Sequence, residues 1–251
     1  MRKYTVIGIC VLVLPVAAFV TARITAQNQQ GNASQRESAP LAKQKRLTQA
    51  EFESQFPIVE YSASEPDVTI ANGTNAERRY NKGQLPISEY SERTITHSNW
   101  EVGLPALPVK QSQAILLGRV VKAQARLTAD KAVVYSEFLF HVDEVFQDDN
   151  NTLTPNSSVA VVRSGGRVRF ASGHIALQMI AGQNMPRVGK QYVFFLTRDT
   201  DEEDFYLLTG YEFHERRVYP LDNPQGGKHP IATTYNDVEQ RVFLSDLRNA
   251  L

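Results

Sequence analysis

Apolar side chains are concentrated in short, closely spaced runs after about Gln113, and the second run alternates. Val134, Ser136, Phe138, Phe140 and Val142 fall on one side of an extended backbone; Tyr135, Glu137, Leu139, His141 and Asp143 fall on the other. A period of two predicts a half-buried strand over Ala132–Phe146, with the first set turned to the core. Ala114–Leu127 is rich in Ile, Leu and Val, and Thr128-Ala129-Asp130-Lys131 has turn composition, so the two runs predict a long hairpin. Ser158–Arg163 and Arg167–Phe170 flank Gly165-Gly166, a two-residue hairpin signal. Further strands are predicted at His174–Ile180, at the continuously apolar Tyr192–Leu196, at Phe205–Phe213 and at Arg217–Leu221. No helical pattern intervenes. The fold class is therefore mainly β, a small β-barrel or sandwich over residues 113–221.

The flanks read differently. Residues 222–251 predict a loop and then a helix capped by Asn236 or Asp237 and running through Ala250. Its expected apolar stripe is Val238, Val242, Leu244, Leu247 and Leu251, which should dock on the barrel. Residues 27–112 read as a polar extension. From Gln27 to Arg46 there is almost nothing to bury, which suits a tether. Thr48-Gln49-Ala50-Glu51 matches a capping box, with Phe52 and Phe56 on one face of a short helix that Pro57 stops. Polar character returns from Ser62 to Trp100, with turn signals at Asn72-Gly73, Lys82-Gly83 and Leu85-Pro86, so this stretch is expected to be loose or draped over the domain.

The first 26 residues change the picture most. Arg2 and Lys3 precede an apolar run from Val6 to Val20, followed by small-residue sites at Val20-Thr21-Ala22 and Ile24-Thr25-Ala26. That order predicts a cleaved secretory signal of bacterial style. An uncleaved anchor needs about 20 apolar residues, and Ile7–Ile24 approaches that length with Arg23 inside it. In either case the basic end stays in the cytoplasm and the rest is exported, periplasmic or secreted. The one cysteine, Cys10, lies inside the apolar run, so the exported part has no disulfide, thiolate nucleophile or cysteine metal ligand. The chain holds 27 basic and 27 acidic side chains; without residues 1–26 there are 24 and 27, a net charge of −3. Such a balance gives no general attraction for nucleic acid or anionic lipid.

The order of long hairpin, third strand, irregular stretch, two strands and terminal helix carries a resemblance. Its motifs are Leu116-Leu117-Gly118-Arg119-Val120-Val121, Phe138 through Phe146, and Val188-Gly189-Lys190-Gln191-Tyr192 through Leu196. Together they resemble the oligonucleotide/oligosaccharide-binding (OB) barrel, most of all its netrin-like version in metalloproteinase inhibitors. Tyr135-Ser136-Glu137-Phe138, Gly165-Gly166-Arg167-Val168-Arg169, Leu207 through Glu212 and Val218 through Asp222 are also similar to a group of exported bacterial proteins with no assigned function. The inhibitors chelate zinc through an N-terminal cysteine. Neither cleavage site leaves a cysteine first, so inhibition by that route is not available.

Candidate chemistry is sparse. Glu137, His141 and Asp143 share strand parity and offer oxygen and imidazole donors, but i and i+2 on a strand stand nearly 7 Å apart and do not converge alone. No serine sits in a G-x-S-x-G elbow. Arg163, Arg167 and Arg169 with Phe170 suggest a basic, aromatic strand face of the kind that binds single strands, which the near-neutral charge and the exported location oppose. The Asp201-Glu202-Glu203-Asp204 run reads as a solvated loop tip. Gly182-Gln183-Asn184-Met185-Pro186 predicts an exposed loop beside the barrel with Met185 as an apolar contact. The candidate binding residues are thus Met185, Arg187, Arg167 and Arg169, with no catalytic, metal or cofactor site assigned. The expected role is a binding or assembly module for an envelope or extracellular protein or glycan. Nucleic acid is not expected as a partner, and membrane contact is expected only through the N-terminal segment. The alternative is a hydrolase or metal-dependent enzyme, which requires His141, His174 or His214 to converge with acids.

Overall fold

The computed structural model describes residues 48–62, 74–81, 85–198 and 204–251. The signal or anchor (1–26) with Cys10, the tether up to residue 47, and Asp201-Glu202-Glu203 lie outside them. In chain order the elements are α1 (Gln49–Glu53), β1 (Ile58–Glu60), α2 (Asn75–Tyr80), β2 (Arg93–Thr96), β3 (Ala114–Leu127), β4 (Val134–Asp148), β5 (Ser158–Ser164) and β6 (Gly166–Arg169). They continue with β7 (Ile175–Ile180), β8 (Gln191–Thr197), β9 (Phe205–His214), β10 (Arg217–Pro220), α3 (Pro230–Thr233), β11 (Val238–Glu239) and α4 (Gln240–Ala250).

The predicted hairpin is the longest feature: β3 and β4 pair antiparallel from Ala114↔Asp148 to Leu127↔Val134. Thr128 and Asp130 tie its turn, with the Thr128 hydroxyl donating to Asp130 at 2.6 Å and Lys131 turning at φ 58°. β4 also pairs with β5, β5 runs parallel to β9, β9 pairs with β8, and β8 returns to β3. Five strands thereby close a barrel. Closure removes the sheet edges that would otherwise need covering.

Strand parity explains the core. Phe138, Phe140 and Val142 point inward with Leu116, Val120, Phe194 and Leu196, as the alternation predicted, and the Phe140 and Phe194 rings stack at 4.4 Å. The unbroken apolar run of β8 serves two faces: Tyr192, Phe194 and Leu196 fill the barrel, while Val193 and Phe195 lie under the C-terminal helix. Tyr135 departs from its assigned outward face. It is buried because α2 crosses it, stacking Tyr80 on its ring at 5.2 Å. Gly118 leaves no room for a side chain between the strands, since a Cβ there would sit 2.1 Å from the His141 carbonyl oxygen.

The terminal helix docks with a different stripe. Phe243 and Leu247 are buried and Leu244 packs beside them, whereas Val242 and Leu251 are 44% and 52% exposed. Neither Asn236 nor Asp237 caps it: Asp237 takes φ 62°, Val238-Glu239 pairs with β10, and the helix begins only at Gln240. Phe243 and Leu247, four apart, share a face that Val242 misses by about a quarter turn.

Two further expectations are revised. β5 and β6 do not form a hairpin, because β6 belongs to a second sheet ordered β1-β6-β7-β2. Gly165-Gly166 carries the chain between sheets: the Gly165 N–H donates to the Val134 carbonyl at 2.8 Å, and a Cβ on Gly166 would meet the Val134 side chain at 2.6 Å. That second sheet also claims part of the polar extension read over residues 27–112. β1 runs parallel to β6 and β2 parallel to β7, so Ile58–Glu60 and Arg93–Thr96 are edge strands. β2 is exposed at all four positions and is held by backbone pairing, which leaves no hydrophobic pattern to read. The capping box stands as predicted, with the Glu51 N–H donating to Thr48 Oγ1 at 3.2 Å and the Thr48 N–H to Glu51 Oε2 at 2.7 Å. Among the described residues, no helix is long and apolar enough to cross a membrane.

Candidate functional site

The β7–β8 loop is positioned by a buried charge. Arg163 of β5 and Asp222, just after β10, pair at 2.7 Å with side chains 1% and 0% exposed. A buried carboxylate is tolerable only when its lone pairs are filled. Here the Thr209 hydroxyl donates to Asp222 Oδ2 at 2.9 Å and the Asn184 N–H to Oδ1 at 3.0 Å. Arg163 Nη1 donates to the Asn184 carbonyl at 2.6 Å, and Asn184 Nδ2 to the Leu221 carbonyl at 2.7 Å. Only Arg163 Nε lacks a protein partner in this cluster. The result is a loop fastened at Asn184 to two segments of chain, β5 through Arg163 and the Leu221-Asp222 stretch after β10.

Its next residues split between interior and surface. Met185 is 2% exposed and belongs to the barrel core, close enough to Gly165 that a Cβ there would lie 2.7 Å from its Cε. The expectation of an exposed Met185 contact is therefore corrected: the clamp on Asn184 draws the loop inward. Arg187 returns toward solvent. Its N–H donates to Tyr192 Oη at 3.0 Å, and its Nη2 reaches both Glu212 oxygens at 2.6 and 2.7 Å. Tyr192 Oη donates to Glu212 Oε2 at 2.9 Å. The bond to Glu212 raises the Arg187 pKa above its ordinary value, and burial raises that of Tyr192.

The facing wall is the segment after α1. Arg167 Nε donates to the Phe56 carbonyl at 2.8 Å, its Nη2 approaches the Ser54 carbonyl at 3.4 Å, and its backbone N–H donates to the Pro57 carbonyl at 2.8 Å. Burial, with Arg169 nearby, lowers the Arg167 pKa, and Glu53 opposes the shift. Among the described residues no carboxylate forms an ion pair with Arg167; its partners are carbonyls. Between the walls lies a groove of about 470 Å³ lined by Pro57, Ile58, Ala123, Arg167, Arg187 and Val188, with others.

Arg167 and Arg187, distant in sequence, thus meet at one groove, while Met185 lies in the core and Arg169 pairs with Glu60 at the surface at 2.9 Å. The basic, aromatic strand face does not form: Arg163 is buried on Asp222, and Phe170 is buried against Tyr61, their rings stacked at 4.7 Å. Glu137 is engaged by Gln124 and Arg126, and Asp143 accepts from Gln191. His174 Nε2 contacts the Ser91 carbonyl at 3.1 Å, and His214 is 3.7 Å from Glu215. Among the described residues no group of three or more His, Cys, Asp or Glu is placed to hold a metal. Sequence reasoning missed the Ser54–Ile58 wall, Val188, Glu212 and the Arg163–Asp222 clamp. The one available signal was an arginine closing the apolar run of β5, which demands a buried partner if it points inward.

No protein-family model matches the chain, and no curated protein matches it either.

Proposed function

We propose that this chain is an exported or envelope-associated β-barrel module that binds or assembles with a protein or glycan outside the cytoplasm. The observation that carries the reading is the groove: two apolar walls, one from the α1–β1 segment and one from the β7–β8 loop, with a guanidinium on each side. Loops held rigidly on a barrel are a common seat of recognition, and this one is held by a buried ion pair. Val188, 56% exposed on the rim, offers apolar area that the fold itself does not use. Export is supported by the basic start and the apolar run Val6–Val20. The resemblance to the OB barrel is supported by connectivity. Counting β3, β4, β5, β8 and β9 as first to fifth, the third runs parallel to the fifth and the first closes on the fourth.

In-cell photo-crosslinking tests this reading. A photoreactive residue at Val188 should give discrete adducts in the envelope fraction of a bacterial host, and one at the exposed Val242 should not. Identical adducts from both positions, or none from Val188, would count against the groove.

A further inference from the structure

We infer that the groove takes an acidic polypeptide segment, laid extended between the Pro57–Ile58 and Pro186–Val188 walls with a carboxylate on Arg167. This deepens the binding reading above and rests on it.

Charge complementarity carries the inference. Arg167 is half-buried, so its guanidinium has lost hydration, yet its acceptors are only the Phe56 and Ser54 carbonyls. A guanidinium has five N–H donors, so Arg167 retains unused ones facing a cavity that it lines. A carboxylate there would gain short, charge-assisted bonds and add a counter-charge in direct contact, where Glu53 acts without forming an ion pair. Arg187 differs. Glu212 neutralises it through Nη2 alone, which leaves other donors for a backbone carbonyl or second oxygen of the same ligand. The groove lining itself holds two guanidinium groups, Arg167 and Arg187, and no carboxylate. The nearby acids are engaged, Glu212 by Arg187 and Tyr192, Asp143 by Gln191, and Glu53 near Arg93 at 3.8 Å. A local cationic excess on a chain of balanced total charge is a recognition feature rather than a consequence of composition.

Shape favours a polypeptide over a membrane surface. Arg167 is half-buried and hydrogen-bonded along the Ser54–Phe56 segment, so a narrow extended chain lying in the groove fits its remaining donors better than a flat bilayer does. The apolar rim at Val188, 56% exposed, would take side chains that alternate with the carboxylates.

The test uses the purified full chain and two fluorescent peptides, one alternating Leu and Glu and one with Gln in place of Glu. Binding is followed at low and high salt beside vesicles rich in phosphatidylglycerol. The Glu peptide should bind at least about tenfold tighter than the Gln peptide, the energy of one charge-assisted contact, and should weaken with salt. Val188→Glu, which adds a like charge at an exposed rim position, should abolish that preference with an unchanged thermal melt. Arg241→Gln, a charge removal at a distant exposed ion pair with Glu239, should leave it intact. Equal affinity for both peptides, or a preference that survives Val188→Glu, overturns the inference. If both peptides bind equally and Val188→Glu weakens both, the acidic specificity fails while the groove stands. If neither peptide binds and Val188 yields no crosslink, both readings fail. Binding to the vesicles alone replaces the polypeptide with an anionic lipid surface.

Discussion

Asp222→Asn is the sharpest perturbation of this fold, because it keeps shape and removes charge. In the native chain Arg163 Nη2 and Thr209 Oγ1 converge on Oδ2, and the Asn184 N–H meets Oδ1. An asparagine offers one oxygen, so in either orientation its NH2 faces a donor and at least one bond is lost. An unsatisfied buried donor costs about 1–3 kcal/mol. The larger loss is the counter-charge of a guanidinium 1% exposed, and breaking such a pair typically costs about 3–5 kcal/mol in total. For a domain of this size that corresponds to a fall in Tm of roughly 6 to 20 °C. Arg163→Met strands the carboxylate instead and should cost a similar amount. The double variant Arg163→Met/Asp222→Asn leaves no buried charge, so it should be more stable than the sum of the singles by at least about 1.5 kcal/mol. Denaturant unfolding of the four proteins measures this directly. Additive losses within about 0.5 kcal/mol, or a single-variant loss below about 1 kcal/mol, would refute the claim that this pair holds the β7–β8 loop.

Three further outcomes follow from the packing. Met185→Ala should cost about 2–5 kcal/mol by denaturant unfolding, because the side chain fills core rather than meeting a partner; a loss under about 0.5 kcal/mol would return Met185 to the surface. Gly118→Ala should lose about 1–3 kcal/mol or fail to fold, since its Cβ meets the backbone oxygen of His141 and neither strand can retreat alone; a Tm within a degree of wild type would contradict the packing there. Burial raises the pKa values of Tyr135, Tyr192 and Tyr211. The folded chain therefore keeps those phenol protons while the unfolded chain releases them near pH 10, so stability is complete below about pH 10 and falls above it. Titration followed by tyrosinate absorbance should show Tyr135, Tyr192 and Tyr211 ionising only as circular dichroism is lost. Ionisation of Tyr135, Tyr192 and Tyr211 near pH 10 with the fold intact would contradict it.

The barrel was legible where burial imposes period two. Val134 through Val142 declare their faces because every second residue must avoid water. The Thr128–Lys131 turn was legible because its chemistry is local. Signals failed where long-range neighbours decide. Gly165-Gly166 has hairpin composition, but Val134 and Met185, brought from other strands, are what require its lack of side chains. Ile58–Glu60 and Arg93–Thr96 become strands only by parallel pairing with β6 and β7, which leaves no mark in so few residues. The groove was half visible. Arg167 and Arg187 stood out as charges, but Met185 beside Asn184 and Pro186 has the composition of a surface loop. Its burial depends on an ion pair between positions 163 and 222.

The central claim is that recognition occurs between the Ser54–Ile58 wall and the Pro186–Val188 rim. Amide hydrogen exchange of the full chain, with and without the partner recovered by crosslinking at Val188, tests it most directly. The account predicts added protection confined to residues 54–58, 121–123 and 186–188. Protection centred instead on the Glu215–Arg217 turn and the start of α4, with the groove unchanged, would contradict it.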